Sequence, residues 1–439
     1  MFAYRLFLSS MMILLYGVTS VSIIQAQEIP SPSGESQSNK KTVTPSSKTP
    51  SKVPSKVPPK ASPKVSPTPS ATKLKVVSPV QSSSSATQIT TTSLQQALPQ
   101  ARRVFVAHLD QDQNHEILLA HQNHLSAWRM QAGQAQKIWQ ITGPGVVHLV
   151  QVADIGKGKE LLVAWGMGRG HMQAPIILQA HHMQTGQGRE VWRYKGSRNQ
   201  PITLQLLQQD QDAASEILLG HFISKYHTQA VILDFNATSD IPQVRTLNKI
   251  RMGTSWVMGE MDDHKGVDYA IGRVYGDVKG EYGDLIFHGS KQPKTPLVIP
   301  SERGVKKVWR LPLKSSQPYL YFSDGWVAAY GKKAKARLKR LFWRDGRPQV
   351  ELVLNQNKEF TFFDLWVSQE DQKRGPLLWA RGNQFISLVE MKKQGMWIAH
   401  PLHRLPPVVN VAVGHYEGQW YVCMPQEKKT QIQPLTLPW

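Results

Sequence analysis

From residue 101 onward, short apolar runs alternate with polar turns, and four of the resulting units align without gaps. In each unit an acidic turn ends in Glu or Asp and is followed at once by a short apolar run, such as residues 117–120 in the first unit. The final acids are Glu116, Glu160, Glu216 and Asp268, which are 44, 56 and 52 residues apart. Short apolar runs bounded by Asp, Asn and Gly are typical of β-strands. Each unit is therefore predicted to form a strand, an acidic turn, a second strand and then two further strands.

Three weaker units follow the first four. Their first two strands are predicted at residues 308–311 and 319–322, 360–364 and 377–380, and 408–412 and 420–423. Residues 101–439 divided by seven give about 48 residues per unit, which is the size of a four-stranded propeller blade. The sequence therefore predicts an all-β, seven-bladed β-propeller, although the weakness of the last three units leaves six or eight blades open. The last unit lacks a fourth strand, which we expect from residues 87–92 or 74–80, closing the ring.

The acidic turns resemble the FG-GAP and VCBS repeats of integrin-alpha-type propellers, whose pattern is close to Asp-x-Asp-Gly-Asp-Gly-x-x-Asp/Glu. Residues 180–186 and Trp192, echoed by residues 127–133 and Trp139, are similar to the tryptophan-docking repeat of quinoprotein-like propellers, with two more residues between Gly and Trp. The resemblance covers residues 101–439 and implies architecture rather than activity, because propellers serve many functions. A quinone cofactor is not expected, because the sequence contains no recognisable pocket of that family.

In FG-GAP and VCBS repeats the acidic turn binds calcium, so the resemblance implies candidate metal sites. Calcium takes roughly six to eight oxygen ligands, and only two turns of this chain keep three carboxylates. They are Asp110, Asp112 and Glu116 in the first unit and Asp210, Asp212 and Glu216 in the third. The alternative is that these acids accept hydrogen bonds from backbone amides of their own turn, which Asp does without a metal. Calcium is the one cofactor that the sequence leaves open.

Two segments precede the repeats. Residues 1–26 carry one charge, Arg5, before a long apolar stretch, and Ala26 offers the small residue of a signal-peptidase site. We predict a signal peptide here; the alternative is an uncleaved membrane anchor, since about 20 apolar residues span a bilayer. Residues 27–100 contain no Phe, Trp or Tyr and hold nine lysines against two acids among many Ser, Pro and Thr residues. They are predicted to be a disordered tether, so residues 101–439 form the folded domain.

The composition narrows the classes of function. The single cysteine, Cys423, excludes a disulfide framework, a multi-cysteine zinc site and an iron–sulfur cluster. The chain has 52 Lys+Arg against 31 Asp+Glu; without Arg5 and the nine lysines of the tether, 42 bases stand against 29 acids, or +13, from residue 101 onward. No nucleophile elbow, phosphate loop or zinc-protease motif is present. The sequence therefore indicates a basic domain that is not an enzyme.

The repeat alignment predicts a ligand-binding face. At the end of each second strand a small residue precedes a larger one, and the starts of the inner strands meet the same face of a propeller. The candidate residues are His121, Trp165, His221, Arg273, Asp324 and Arg381 in the ring and Arg251 and Arg303 in the adjacent loops. Guanidinium groups bind carboxylates and phosphates bidentately, so we expect a ligand that bears such groups. The alternative is an ordinary solvated loop face.

A second basic feature lies in the fifth unit, at residues 332–344. Lys333, Lys335, Arg337 and Lys339 alternate with apolar residues and would line one side of a strand. At the rim of a blade, lysines on an unpaired edge strand prevent edge-to-edge aggregation. The alternative is contact with an anionic polymer; no recognised nucleic-acid motif is present, so nucleic acid is not expected.

Together these features predict an exported, non-catalytic propeller that acts as a binding or assembly module of the bacterial cell envelope. It would be periplasmic, envelope-associated or secreted, a monomer, and attached to a membrane only if residues 1–26 are uncleaved. The expected partner is an envelope protein or an anionic polysaccharide. Two alternatives are an extracellular carbohydrate-active enzyme or lectin, for which Asp324 and Asp364 are candidate acids, and a calcium-dependent adhesion protein.

Overall fold

The computed structural model describes residues 96–438, apart from internal segments at 111, 113, 209–213, 237–238, 263, 276–282, 292–294, 302–303, 312–319, 325–336, 356–363, 369–376, 382–384, 392–396 and 406–409. The predicted signal peptide and residues 27–95 of the predicted tether lie outside the described residues. All regular secondary structure in the described ranges is β-strand. No helix that could cross a membrane was found among these residues.

The described strands form seven antiparallel sheets, and each sheet is one blade. Blades 1 and 2 are β2 (Arg103–Ala107), β3 (Glu116–His121), β4 (His124–Gln131) and β5 (Gln134–Thr142), and β6 (Val146–Asp154), β7 (Lys159–Gly166), β8 (Ile176–His181) and β9 (Gly188–Tyr194). Blades 3 and 4 are β10 (Pro201–Leu207), β11 (Glu216–Phe222), β12 (His227–Asn236) and β13 (Ser239–Thr246), with β14 (Ile250–Arg251) beside β12, and β15 (Gly253–Gly259), β16 (Asp268–Arg273), β17 (Asp284–His288) and β18 (Leu297–Pro300).

The remaining three blades repeat this order from the inner to the outer strand. Blades 5 and 6 are β19 (Val305–Arg310), β20 (Leu320–Asp324), β21 (Arg337–Arg344) and β22 (Arg347–Asn355), and β23 (Asp364–Ser368), β24 (Leu377–Arg381), β25 (Phe385–Met391) and β26 (Trp397–Arg404). Blade 7 is β27 (Ala412–Tyr416), β28 (Gln419–Pro425) and β29 (Thr430–Leu435), completed by β1 (Gln96–Leu98).

The second strand of each blade packs on both of its faces, which explains why the repeated apolar runs do not alternate with polar residues. In β3, Leu118 packs into the core between blades 1 and 2, whereas Ile117 and Leu119 pack into the core between blades 7 and 1. Successive side chains of a strand point to opposite faces, so one apolar run fills two interfaces. The described residues form seven such clusters, one at each interface between adjacent blades. The prediction of an all-β, seven-bladed propeller is confirmed.

Polar side chains hold neighbouring inner strands together. Gln205 of β10 donates from Nε2 to the Met258 carbonyl at 2.8 Å and accepts from the Met258 amide at 3.0 Å. The side-chain oxygen of Asn410, before β27, accepts from the Val104 amide of β2 at 2.6 Å. Inner strands have one edge without a neighbouring strand, and backbone groups away from water need a partner. These side chains supply it.

Trp139 of blade 1 docks on a turn of blade 2. Its Nε1 donates to the Met183 carbonyl at 2.6 Å. Gly186, with φ of 71°, lies so close that an added Cβ would come within 3.2 Å of the Trp139 ring. Glycine is the residue that adopts this backbone conformation at least cost. The Gly and Trp positions of the predicted docking repeat therefore do meet, between one blade and the next.

The ring closes through β1. Gln96, Ala97 and Leu98 pair with Ile432, Gln431 and Thr430 of β29, so an N-terminal strand forms the outer edge of blade 7. The predicted closing strand is upstream, at residues 74–80 or 87–92, and the predicted tether extends to residue 100; the strand is β1, and the folded domain includes it. Three residues are too few to carry a strand pattern of their own, and Leu98 packs into the core between blades 7 and 1.

Two inner strands lie about four residues beyond their predicted places. Blade 6 begins with Asp364 opposite Arg381, and blade 7 begins with Ala412 opposite Cys423. In blade 7 the reason is the turn: Glu417 and Gly418, with φ of 46° and 80°, join β27 to β28 in a two-residue turn, a geometry suited to tight hairpins. The prediction assumes that this blade has the longer acidic turn of the first four blades, and it therefore places the inner strand too early.

The basic segment of the fifth unit is not a blade rim. Residues 332–336 lie outside the described residues, and β21 is paired on both sides, with β20 and β22. Lys339 forms an ion pair with Asp324, and Arg340 forms one with Glu351. The described part of this segment therefore uses its charges inside the blade, and the prediction of an unpaired lysine edge is wrong for it.

We expect Leu98→Ala to lower the free energy of unfolding by about 2–4 kcal/mol, because it removes a buried side chain from the closing interface. Urea denaturation measures the change. Ala97→Ser, at the exposed neighbouring position, is the matched control and should change stability little. Equal effects of the two substitutions would show that β1 does not close the ring.

Candidate functional site

The two ends of the blades differ in charge. We call the end where inner strands start and second strands finish the loop face, and the opposite end, which carries the acidic turns, the turn face. The described carboxylates of the turn face include Asp110, Asp112, Glu116, Asp154, Glu160, Glu216, Glu260, Asp262, Asp268, Asp345 and Glu417, and exposed cations such as Lys157, Lys159 and Lys265 lie among them. On the loop face the described carboxylate side chains are Asp284 and Asp324, which are paired within the domain, and Glu427, which lies beside Lys428 and Lys429.

Cationic side chains surround the starts of the inner strands on the loop face. Arg102, Arg169, Lys225 and Arg251 are exposed, and Arg198 is half-buried. A surface with one sign of charge attracts partners of the opposite sign and accelerates their association. Among the described residues, the loop face is therefore the cationic end of the propeller.

The strand register places the predicted ring at equivalent positions. His221 lies opposite Pro201, Arg273 opposite Gly253 and Asp324 opposite Val305, each at the start of an inner strand. His121, Trp165 and Arg381 end the second strands of blades 1, 2 and 6 in the same way. Arg303 lies outside the described residues, and Arg251 is exposed in β14.

Most of the ring side chains are buried. Trp165 is fully buried in the core between blades 1 and 2, and an added Cβ at Gly143 would come within 2.4 Å of its ring. Asp324 is 2% exposed, and Arg273 and Arg381 are each 8% exposed. His121 is half-buried. The ring residues mainly fill space between blades, so most of this sequence-predicted set does not present itself to a ligand in this conformation.

His221 is an aromatic packing residue. It is 1% exposed and lies against Trp192 and Tyr194, with ring centroids 5.6 and 4.5 Å away. Burial lowers the pKa of His221 to about 4, although a hydrogen bond to the Phe222 carbonyl raises it slightly. At neutral pH this side chain is uncharged and adds no positive charge to the loop face.

Arg273 and Asp324 satisfy their charges inside the domain. Arg273 binds Asp284 with both Nε and Nη2, at 2.6 and 2.7 Å. Asp324 accepts a hydrogen bond from Ser301 at 2.5 Å and pairs with Lys339. Buried ions need such partners. Asp324, a candidate acid of the enzyme alternative, is therefore engaged in a buried ion pair, and the side chain of Asp364 lies outside the described residues.

The loops around blade 3 form an exposed basic and aromatic surface, which we call the blade 3 patch: Arg198, Lys225, Tyr226 and Arg251. The Arg198 guanidinium lies 4.0 Å from the centroid of the Phe222 ring, and Lys225 Nζ lies 5.3 Å from that of Tyr226. Tyr226 is 41% exposed, and its carbonyl accepts from the Met252 amide at 2.7 Å, which joins the two loops. Arg251 is a predicted site residue of this patch, whereas Lys225 and Tyr226 are not marked by the repeat alignment.

In the first acidic turn the carboxylates bind backbone amides and an arginine. Glu116 Oε2 accepts from the Leu109 amide at 2.8 Å, Asp110 from the Asp112 amide at 2.9 Å, and Asp112 from the Asn114 amide at 2.6 Å. Arg129 of β4 donates to both Asp110 and Glu116. The three carboxylates lie within 4.8 Å of one another, as a metal site requires. All three carboxylates accept hydrogen bonds from backbone amides, as the alternative to calcium binding predicts. The Arg129 guanidinium also contacts two of the three candidate ligands, Asp110 and Glu116.

The other acidic turns vary the same arrangement. Glu160 of blade 2 pairs with both terminal nitrogens of Arg189. Asp268 of blade 4 accepts from the amides of Met261 at 2.7 Å, Asp262 at 3.0 Å and Ser290 at 2.8 Å, and burial raises its pKa. In the third turn Glu216 is buried, whereas Asp210 and Asp212 lie outside the described residues. The repeated acid therefore anchors the turn to the strand that follows it.

No family model and no curated protein matches this chain. Among solved structures, it is similar to a chain of the crystal structure of BBS1N in complex with ARL6DN, soaked with lead, at 11% identity, with 78% of this chain and 98% of that chain covered and a TM-score of 0.46. It is also similar to a chain of the crystal structure of the Mitotic Checkpoint Complex, at 10% identity, with 84% and 100% covered and a TM-score of 0.46. Likenesses at this level carry no argument about function. The propeller is established by its own strand pairing, and the FG-GAP and VCBS resemblance is not confirmed.

Arg129→Met is expected to lower the free energy of unfolding by about 2 kcal/mol, because it leaves the fully buried Glu116 side chain without its charged partner. Urea denaturation measures the loss. The matched control is Arg193→Met, which breaks an exposed pair with Glu190 and should leave stability nearly unchanged. If the free energy of unfolding of Arg129→Met equals that of the wild type, Arg129 does not neutralise the carboxylates of the turn.

Calcium at millimolar concentration is expected to leave the melting temperature of the wild type unchanged, since the Arg129 guanidinium already contacts Asp110 and Glu116. A metal bound only by the native state raises the melting temperature. Thermal unfolding with calcium and with a chelator makes the comparison. A rise of several degrees with calcium would assign these carboxylates to the metal instead.

Stability is expected to fall as the pH drops from about 6.5 to 4. The folded-state pKa of His221 is below its unfolded value, so in this window the unfolded chain binds a proton that the folded chain does not. The contribution is on the order of 3 kcal/mol. His221→Phe, which preserves an aromatic ring beside Tyr194, should reduce this pH dependence in urea denaturation. Identical pH profiles for variant and wild type would contradict the assignment.

Proposed function

We propose that this protein is an exported, non-catalytic binding or assembly module of the cell envelope, which contacts an anionic surface of a protein or glycan through its loop face. The observation that carries the proposal is the difference in charge between the faces: the described acids concentrate on the turn face, where cations such as Lys157 and Lys159 lie among them, whereas the described loop-face cations have few acids beside them. The propeller fold is compatible with such a module. Export is proposed from the apolar residues 1–26.

The blade 3 patch is the proposed contact surface. Tyr and Arg are enriched in the buried centres of protein interfaces, where they contribute much of the binding energy. The Phe222 ring under the Arg198 guanidinium and a hydrogen bond to Gln200 at 3.2 Å hold the Arg198 side chain in place. An immobilised guanidinium loses less conformational entropy when it binds. The ring of Tyr226 is exposed, and an exposed aromatic ring can also stack on a sugar.

The burial and ion pairing of Asp324, the candidate catalytic acid, favour a binding role over hydrolysis. A glycosidase needs two carboxylates that face the substrate at a separation of roughly 5 to 10 Å. Asp324 is 2% exposed and holds an ion pair with Lys339. Asp284 and Asp324 of the loop face thus support the domain rather than project from it, and the exposed Glu427 lies beside Lys428 and Lys429, which supports a surface that recognises a partner.

The test is a quantitative pull-down from envelope extract with the full chain and two charge-reversed variants. Lys225→Glu with Arg251→Glu changes two exposed side chains of the loop face; Lys157→Glu with Lys159→Glu makes the same change in net charge at exposed positions of the turn face. We expect the loop-face variant to lose at least about tenfold in recovery of its partner, since buried charged contacts are worth more than about 1.4 kcal/mol. The turn-face variant should bind like the wild type.

Equal loss in both variants would show a response to net charge alone and would contradict a loop-face site. Equal recovery by all three proteins would contradict it as well. Circular dichroism and the melting temperature of each variant exclude misfolding as the cause of any loss.

A further inference from the structure

Among the described residues, Arg103 is a charged side chain without a carboxylate partner. It is the first residue of inner strand β2, and its Nη1 donates to the His148 carbonyl of inner strand β6 at 2.5 Å. A guanidinium carries five N–H donors, and this is the one hydrogen bond that its side chain makes to the described residues. Burial lowers the pKa of Arg103 to about 10, so the group still carries its charge at neutral pH.

Three other arginines of the domain each bind a carboxylate. Arg273 binds Asp284, Arg189 binds Glu160 and Arg340 binds Glu351. The physical reason is that a charge removed from water needs an opposite charge close by, or it destabilises the fold. Arg103 differs from these three arginines, because no described carboxylate neutralises its charge.

The groups near Arg103 increase the positive potential instead of neutralising it. Arg102 is exposed beside it, and the pKa of His121 is lowered by burial and then by the charges of Arg102 and His124. Burial and then the charge of Arg103 lower the pKa of His148 to about 3. His121 Nδ1 is buried and has no hydrogen-bond partner among the described residues. Arg102 and Arg103 therefore place two positive charges side by side at the start of β2, which favours an anion.

The position of Arg103 makes it accessible to a ligand on the loop face. Val104, the next residue, is bonded to Asn410 of blade 7, and Arg103 itself reaches His148 of blade 2. The inner strands of blades 7, 1 and 2 are therefore linked at the loop-face end of β2. Arg103 begins β2 at that end and is half-buried, so part of its surface remains open to solvent.

We propose that Arg103 binds an oxyanion, a carboxylate or a phosphate, which a ligand presents to the opening of the ring axis on the loop face. The flat guanidinium pairs two N–H groups with two oxygens of either anion, and His121, which follows the Ala120 that pairs with Arg103, offers a further polar atom. The inference rests on the proposed function, because it names the chemical group that the loop face takes. The blade 3 patch would bind other parts of the same partner.

The test measures the binding of small anions to the full chain by isothermal titration calorimetry and by thermal unfolding. The ionic strength is held constant, and chloride is the reference salt. The probes are inorganic phosphate and galacturonate, each compared with its polymer, polyphosphate and polygalacturonate. The variants are Arg103→Gln and the matched control Arg102→Gln, which removes the same charge from the adjacent exposed position. We expect one of the anions to raise the melting temperature of the wild type and of Arg102→Gln, and Arg103→Gln to lose at least about tenfold in affinity.

A structural role for Arg103 makes the opposite prediction in chloride alone. If the guanidinium only braces β2 against β6, Arg103→Gln lowers the melting temperature; if it is an unneutralised binding group, the variant melts at the wild-type temperature or above it. Destabilisation in chloride, or anion binding that is equal in Arg103→Gln and Arg102→Gln, overturns the inference.

The two proposals fail separately. If the loop-face variant of the blade 3 patch loses its envelope partner while Arg103→Gln retains every anion, the proposed function stands and the Arg103 site is wrong. If the small anions bind through Arg103 while their polymers and the envelope partner do not depend on the loop face, the site stands for free anions and the proposed function is wrong.

Discussion

The fold depends on a second strand that is apolar on both faces. In a single sheet such a strand would expose half of its side chains, and the seven interblade cores exist because each blade covers the next. Trp165 and Trp256 show the scale of this packing, since each is a large side chain enclosed between two blades. The ring must therefore close, and the short strand β1 matters far more to stability than its length indicates.

The repeated blade structure also places acidic and basic side chains at different ends of the blades. The repeated acid at the start of the second strand accepts backbone amides of its own turn, as Glu116 does from Leu109 and Asp268 from Met261. Carboxylates are consequently drawn to the turn face, where they perform a structural task. The loop face has no equivalent demand for acids: Arg273 is paired with Asp284, whereas Arg102, Arg169, Lys225 and Arg251 are exposed and Arg103 is enclosed without a carboxylate among the described residues.

The sequence predicted the parts of the structure that repeat. Residues 117–120 and their equivalents were recognisable because burial on both faces produces an uninterrupted apolar run. The inner strand of blade 7 was misplaced because the turn at Glu417 and Gly418 does not share the acidic pattern. The ring positions were found by alignment, but the burial of Trp165 and His221 depends on the neighbouring blades, as does the lack of a carboxylate beside Arg103. Contacts between blades leave little trace in the spacing of residues along one blade.

The most direct test of a cationic binding face is hydrogen–deuterium exchange of the full chain with and without polygalacturonate. The loop-face account predicts slower exchange in the loops at residues 195–200, 223–227 and 248–252, with the acidic turns at 109–116 and 154–160 unchanged. Protection spread evenly over both faces, or confined to the acidic turns, would contradict it.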